Sequence, residues 1–157
     1  MRNVVLIVYC HLCKRVVTFK KREFQEKSGM NKHIHGESQV YWYGPVLVIK
    51  PSGTFNMDGV KDVAMKVKSC IENKPSGNWV RFYIFDDKAT LGPMESLPFL
   101  AESLKKSKEI GCVGIVTSGG SPLNIKGLQI ICEQAELPLH CASSFDEGIV
   151  IAEQLSA

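Results

Sequence analysis

The run Trp79–Phe85 constrains the fold more than any other segment of the chain. Six of its seven residues are aromatic or β-branched, and they show no alternation between apolar and polar side chains. Strands of this composition lie inside parallel sheets that are covered by helices on both faces. The run therefore predicts a central strand of an α/β protein, ending at Asp86–Asp87.

The segments around this strand alternate between strand and helix patterns. The remaining predicted strands are at 39–43, 46–49, 112–117 and 137–140, and the predicted helices are at about 58–71, 94–111, 122–135 and 146–154. The strand that begins at Val46 ends at Pro51–Gly53 or continues past a bulge through Thr54–Phe55. The order is ββαβαβαβα, in which helices of this length join parallel strands through right-handed crossovers. We therefore predict a single α/β domain with a four- to five-stranded, mostly parallel sheet and about four helices.

The positive charge of the chain is concentrated near its N-terminus. Residues 1–29 carry seven Lys and Arg against two Glu, whereas residues 30–157 carry twelve basic and fourteen acidic side chains. We therefore expect a basic N-terminal extension over residues 1–29, with Met30 as a second plausible start, and a domain over residues 30–157. A genuine hairpin or arm is the alternative for residues 1–29. Because the domain body is slightly acidic, we expect it to bind no nucleic acid.

Cysteine placement and hydropathy indicate where the protein acts. The six cysteines are irregularly spaced, and several lie in predicted strands or helices as small hydrophobic residues, which favours a reducing cytoplasm. The apolar run within Met1–Tyr9 is far shorter than the roughly 20 residues that span a bilayer. We therefore expect a cytoplasmic protein with no membrane span.

Two candidate sites follow predicted strands. Asp86 and Asp87 stand at the carboxyl end of a parallel strand, where open α/β sheets gather ligands, although a third metal or acid-base partner is missing. Thr117–Ser121 opens a helix, so its N–H groups could cradle an anion, but it lacks a Walker lysine. The structural alternatives are a solvated strand end for the acidic pair and an N-capped tight turn for the second segment.

Three further motifs have simpler structural explanations. Cys10 and Cys13 have zinc-knuckle spacing but no matching second pair, so we predict no metal site. His140 and Cys141 are adjacent on a strand and would point to opposite faces, which disfavours a catalytic dyad. Tyr41–Tyr43 could form an aromatic contact patch, although a half-buried strand accounts for it. We predict no catalytic residue and no cofactor.

From Tyr43 onward, over about three quarters of its length, the chain resembles the STAS family. This family is shared by sulfate transporters and bacterial anti-sigma factor antagonists, including small SpoIIAA-like proteins. The resemblance is carried by Val46–Gly53, the strand ending at Asp86, the helix bounded by Gly111, the strand to Thr117 and the segment Phe145–Ala152. It implies a divergent stand-alone STAS-like domain, of a kind that also occurs among unassigned bacterial integron-cassette proteins.

Family members that act as phospho-switches carry an Asp-Ser-Ser/Thr-Gly box after the central strand. Here Pro93 and Met94 stand about where the acidic and acceptor residues belong, and the nearest hydroxyls, Thr90 and Ser96, do not follow an Asp. The resemblance therefore implies a non-catalytic regulatory or protein-interaction domain that acts through the surface at 86–96, on another protein or a second copy of itself.

The alternative hypothesis is a small anion- or nucleotide-binding protein, or an enzyme, that uses the loops at 86–96 and 117–121. The candidate ligand or partner residues in the two hypotheses are Asp86, Asp87, Thr90, Ser96, Thr117, Ser118, Gly119, Gly120 and Ser121.

Overall fold

The computed structural model describes residues 5–9, 16–20 and 33–157, which divide into two compact units, Met1–Asn31 and Lys32–Ala157. The described part of the first unit is an antiparallel pair of strands, β1 (Val5–Tyr9) and β2 (Val16–Lys20). That residues 1–29 are an extension to the domain stays a prediction.

The second unit is an α/β domain with one five-stranded sheet. Its strands are β3 (Glu37–Tyr43), β4 (Val46–Ser52), β5 (Trp79–Phe85), β6 (Cys112–Gly119) and β7 (Leu139–Ala142). Its helices are α1 (Met57–Ile71), α2 (Leu97–Glu109, after a 3-10 turn at Met94–Ser96), α3 (Pro122–Ala135) and α4 (Phe145–Ser156). The strands lie in sequence order, with β3 antiparallel to β4 and the other pairs parallel. The predicted fold class and element order are confirmed.

Strand β4 extends three residues beyond the apolar run Val46–Ile49 and ends at Ser52, within the Pro51–Gly53 segment that the sequence predicts as its end. It does not continue through Thr54–Phe55. Its parallel register with β5 reaches Ile49, whereas its antiparallel register with β3 continues to Ser52. Pro51, which has no N–H to donate, lies in this extension, where β4 pairs in register only with the edge strand β3. The extension carries Ser52 to the carboxyl edge of the sheet.

The helices cover the two faces of the sheet unequally. One face packs against α1, α2 and α3 in a cluster that includes Leu47, Trp79, Val67, Leu104 and Leu128. The opposite face packs against α4 in a second cluster that includes Val48, Phe82, Val116, Ile149 and Ala152. Residues of β5 alternate between these clusters, as strand geometry requires. Both faces of the central strand are therefore buried.

Side-chain caps define where three of the helices begin. Asn56, Ser121 and Ser144 each accept a hydrogen bond from the backbone N–H three residues further on. Such a cap replaces one of the partners that the first N–H groups of a helix lack. Among the described residues, no helix has the length and apolarity needed to cross a bilayer.

Candidate functional site

The carboxyl edge of the parallel strands holds an ordered carboxylate. The Ser52 hydroxyl donates a hydrogen bond to Asp86 Oδ2 at 2.6 Å, and the Lys88 N–H donates to Oδ1 at 2.9 Å. These bonds, above all that from Ser52, hold the pKa of Asp86 below its ordinary value. Asp86 is exposed, so the edge presents a fixed negative charge to solvent.

The loop after β5 is fastened to the neighbouring loop after β4. The Thr90 N–H donates to the Gly53 carbonyl at 3.1 Å, and the Thr90 hydroxyl accepts from the Phe55 N–H at 3.0 Å. The two loops are therefore held in one arrangement by reciprocal bonds.

Asn124, in the first turn of α3, fastens the same loop from its other side. Its side-chain amide donates to the Ala89 carbonyl at 2.8 Å, and its Oδ1 accepts from the Leu91 N–H at 3.1 Å. Asn124 is buried, so both backbone groups depend on it in place of water. The sequence analysis did not predict this residue, and the available signal was a polar side chain three residues after the predicted cap Ser121.

The turn between β6 and α3 is shaped by packing against β5. Gly119 and Gly120 have φ values of +70° and +86°, and a Cβ on Gly119 would lie 2.4 Å from the Phe85 carbonyl oxygen. Glycine is required there both for the left-handed backbone and for the close approach. The Ser121 hydroxyl caps α3 by accepting from the Asn124 N–H at 3.3 Å. These contacts explain the Gly-Gly pair without a ligand.

The predicted site residues divide into exposed and buried sets. Asp86, Asp87, Gly119, Gly120 and Ser121 are exposed, and Thr90 is half-buried, whereas Ser96, Thr117 and Ser118 are buried. The Ser96 hydroxyl has no exposed surface and donates to the Pro93 carbonyl at 2.6 Å.

The exposed part of this edge also carries apolar side chains. Met94 is 69% exposed and Leu123, next to Asn124, is 74% exposed, the largest fractions among the described large apolar residues. Glu95 is exposed between the loop and α2. We define the edge surface as Asp86, Asp87, Met94, Glu95 and Leu123.

The remaining motifs lie apart from the edge surface. His140 and Cys141 pair in register with successive residues of β6, so they face opposite sides of the sheet. Trp42 donates from its indole N–H to the Cys70 carbonyl at 2.9 Å and packs edge-on to Trp79, so it is a half-buried residue packed against the core. Tyr43, in contrast, is 49% exposed. Cys10 and Cys13 lie outside the described residues. Within the described part of the chain, no group of three or more His, Cys, Asp or Glu could hold a metal ion.

A cavity and a larger cleft adjoin the sheet of the second unit. One, of about 40 Å³, lies between α1, α2 and the sheet and is lined in part by Arg81 and Thr90. The other is a cleft of about 440 Å³ along β3 and β4 that reaches Lys50, Ser52 and Asp86. Neither is lined by any residue of 117–121, so neither joins the two predicted strand-end loops.

The fold and the edge surface define a class of protein, an open, mostly parallel α/β domain with an ordered loop at the carboxyl ends of its strands. Comparisons with protein-family models and with curated proteins give no match to this chain.

Proposed function

We propose that the chain is a non-catalytic, STAS-like regulatory or protein-interaction domain whose edge surface contacts a partner protein. The partner is another protein or a second copy of this chain. The observation that carries the proposal is the exposure of Met94, next to Glu95 in the turn before α2, together with the exposure of Leu123 at the start of α3 and of Asp86 and Asp87 at the end of β5. The STAS resemblance supports the same region, because the family's switch loop corresponds to residues 86–96.

The hydrogen bonds that hold the loop in place favour a role in binding a partner protein. Thr90 and Asn124 hold the loop from both sides, so little conformational entropy remains to be lost when a partner binds. Exposed apolar side chains surrounded by a rim of charged residues are typical of protein interfaces. Because Asp86, Asp87 and Glu95 are acidic, we expect the partner to present a basic surface.

The alternative, a nucleotide-binding protein or enzyme that uses both strand-end loops, has less support. Thr117 and Ser118 are buried in β6, and the Gly119–Gly120 turn is accounted for by its approach to Phe85. We propose the cytoplasm as the site of action, because Cys112 and Cys132 are buried free thiols, as is usual in a reducing compartment.

Substitution of Met94 tests the proposal. Met94→Glu adds a fourth carboxylate to the edge surface, in its apolar part, and should abolish partner binding without unfolding the domain. Met65→Glu is a matched control, since Met65 on α1 is 65% exposed and lies outside the edge surface. The tagged full chain and both variants are compared by quantitative affinity purification, with reciprocal tagging of each recovered protein and sedimentation analysis for self-association.

We expect the wild type and Met65→Glu to recover the same protein in near-stoichiometric yield, or to self-associate equally. The yield of that protein, or the extent of self-association, should be at least tenfold lower for Met94→Glu. Retention of binding by Met94→Glu, or equal loss by both variants, would mean that the edge surface is not the contact site. Melting curves of the three proteins show whether each remains folded.

A further inference from the structure

A buried arginine on the central strand has an incomplete set of partners. Arg81 is 3% exposed and donates from Nη1 to the Tyr83 hydroxyl at 3.3 Å. Its Nη2 donates to the Ser103 carbonyl and hydroxyl at 3.2 and 3.3 Å, and to the Ser107 hydroxyl. Its Nε is buried and has no hydrogen-bond partner among the described residues. All the acceptors around the guanidinium are neutral groups.

No carboxylate balances this charge within residues 33–157, where the ion pairs are Lys66–Asp62, Lys106–Glu102 and Lys108–Glu136. The nearby thiols do not supply it, because burial raises the pKa of Cys112 and raises that of Cys132 to about 12. The carbonyl end of α2, near Ser107, offsets part of the charge. A buried guanidinium without a counter-ion is nonetheless strongly unfavourable.

Arg81 lines the cavity of about 40 Å³ that lies between the sheet, α1 and α2. Most of the remaining lining is aliphatic, from Ile49, Val60, Val63, Val67 and Leu100. Thr90 also lines the cavity, and since its oxygen accepts from the Phe55 N–H, its hydroxyl proton remains available to a second acceptor. Tyr83 and Ser103, whose hydroxyls accept from Arg81, also line the cavity, as do Phe55 and Phe85. The cavity therefore combines one cationic donor, three hydroxyls and a mainly apolar wall.

We propose that this cavity is a binding site for a short-chain monocarboxylate, whose carboxylate pairs with Arg81 and whose alkyl group contacts the valines of α1. A single negative charge neutralises the guanidinium, whereas a doubly charged phosphate would leave a buried excess charge. One water molecule needs about 10–15 Å³ of such a cavity. A cavity of about 40 Å³ therefore suits a ligand the size of acetate or propionate. The proposal is independent of the edge surface.

The test is a titration of the full chain, labelled with ¹⁵N, with sodium propionate. We expect the Arg81 Nε–Hε resonance to shift in a saturable way and the melting temperature to rise with propionate concentration. Propionamide has nearly the same shape without the charge, and sodium chloride matches the ionic strength, so neither should reproduce these changes. If the resonance does not respond up to 100-fold excess over protein, or responds equally to propionamide or chloride, the proposal is overturned.

Two variants test separately the charge of Arg81 and the room available in the cavity. Arg81→Met keeps the length of the side chain and removes its charge, and Ala64→Leu adds bulk to the cavity wall while leaving Arg81 in place. Both should weaken propionate binding at least tenfold, and Met65→Leu, on the exposed side of α1, should not. If Arg81→Met fails to fold, the response of the wild-type Arg81 resonance and the affinity of Ala64→Leu for propionate still test the proposal. Undiminished binding by Ala64→Leu would show that propionate binds elsewhere and would refute the proposal.

Discussion

Asp86 shows how one neighbour sets the ionisation of a surface residue. Its pKa lies below the ordinary value chiefly because Ser52 donates to the carboxylate, with smaller contributions from the N–H groups of Lys88 and Ala89. A carboxyl group with a lowered folded-state pKa stabilises the protein fully above its unfolded pKa of about 3.9. That contribution is lost as the pH falls through the lower, folded-state pKa.

Ser52→Ala should raise the pKa of Asp86 towards its ordinary value, because the largest stabiliser of the anion is removed. The melting temperature of the variant should consequently fall less steeply than that of the wild type on acidification below about pH 4. A ¹³C NMR titration of the side-chain carboxyl measures the first effect, and melting curves across pH measure the second. Glu147, whose pKa is lowered by Ser143, is an internal control that should titrate unchanged. An Asp86 midpoint that does not move would refute the assignment.

At the scale of elements, α4 depends on one small residue for its approach to the sheet. A Cβ built on Gly148 would lie 2.1 Å from the tip of the Phe82 ring, which is fully buried beneath the helix. Phe82 and Phe145 stack with ring centroids 5.9 Å apart, so the ring has little room to withdraw. Gly148 is therefore a packing residue within a helix that alanine would otherwise favour.

In Gly148→Ala, the gain in helix propensity opposes the steric overlap with Phe82. Helix propensity alone predicts a gain of about 1 kcal/mol, whereas overpacking of a well-filled core costs about 1–3 kcal/mol. Since the overlap with the ring is severe, we expect a net loss of about 1–2 kcal/mol in the free energy of unfolding, measured by urea denaturation. Val150→Ala, on the same helix and 53% exposed, should change it by less than about 0.5 kcal/mol. A more stable Gly148→Ala protein would mean that α4 lies farther from the sheet.

At the scale of the molecule, the two described hydrophobic clusters both belong to the second unit. Every residue of the two hydrophobic clusters lies between Val40 and Leu155, and the second unit begins at Lys32.

A protein that starts at Met30 should keep the melting temperature of the full chain if residues 1–29 are an extension. For a domain of this size 1 kcal/mol corresponds to about 2–4 °C, so a difference below about 2 °C is expected by calorimetry. A fall of more than about 5 °C would show that the N-terminal residues pack against the domain, as the alternative of a genuine arm requires.

Much of the architecture followed from local signals in the sequence. The apolar run Trp79–Phe85, the helix periodicities and the cap at Ser121 each involve residues a few positions apart, and the structure places each as predicted. Asp86 at the strand end was predicted in the same way. Strand ends were less well predicted, since β6 continues to Gly119 beside β5, and β7 spans Leu139–Ala142 where it pairs with β6 in place of residues 137–140.

Only the tertiary structure decided which side chains are available for binding. Ser96 and Thr117 belong to polar segments that suggested a surface, yet both are buried, because the neighbouring helices and strands close over them. Arg81 stood in a run whose composition predicts burial, but its partners Ser103 and Ser107 lie 22 and 26 residues away. Burial and the choice of partners depend on which faces meet across such separations. The sequence by itself therefore determined the order and type of the elements, and the packing of those elements determined the edge surface and the arginine cavity.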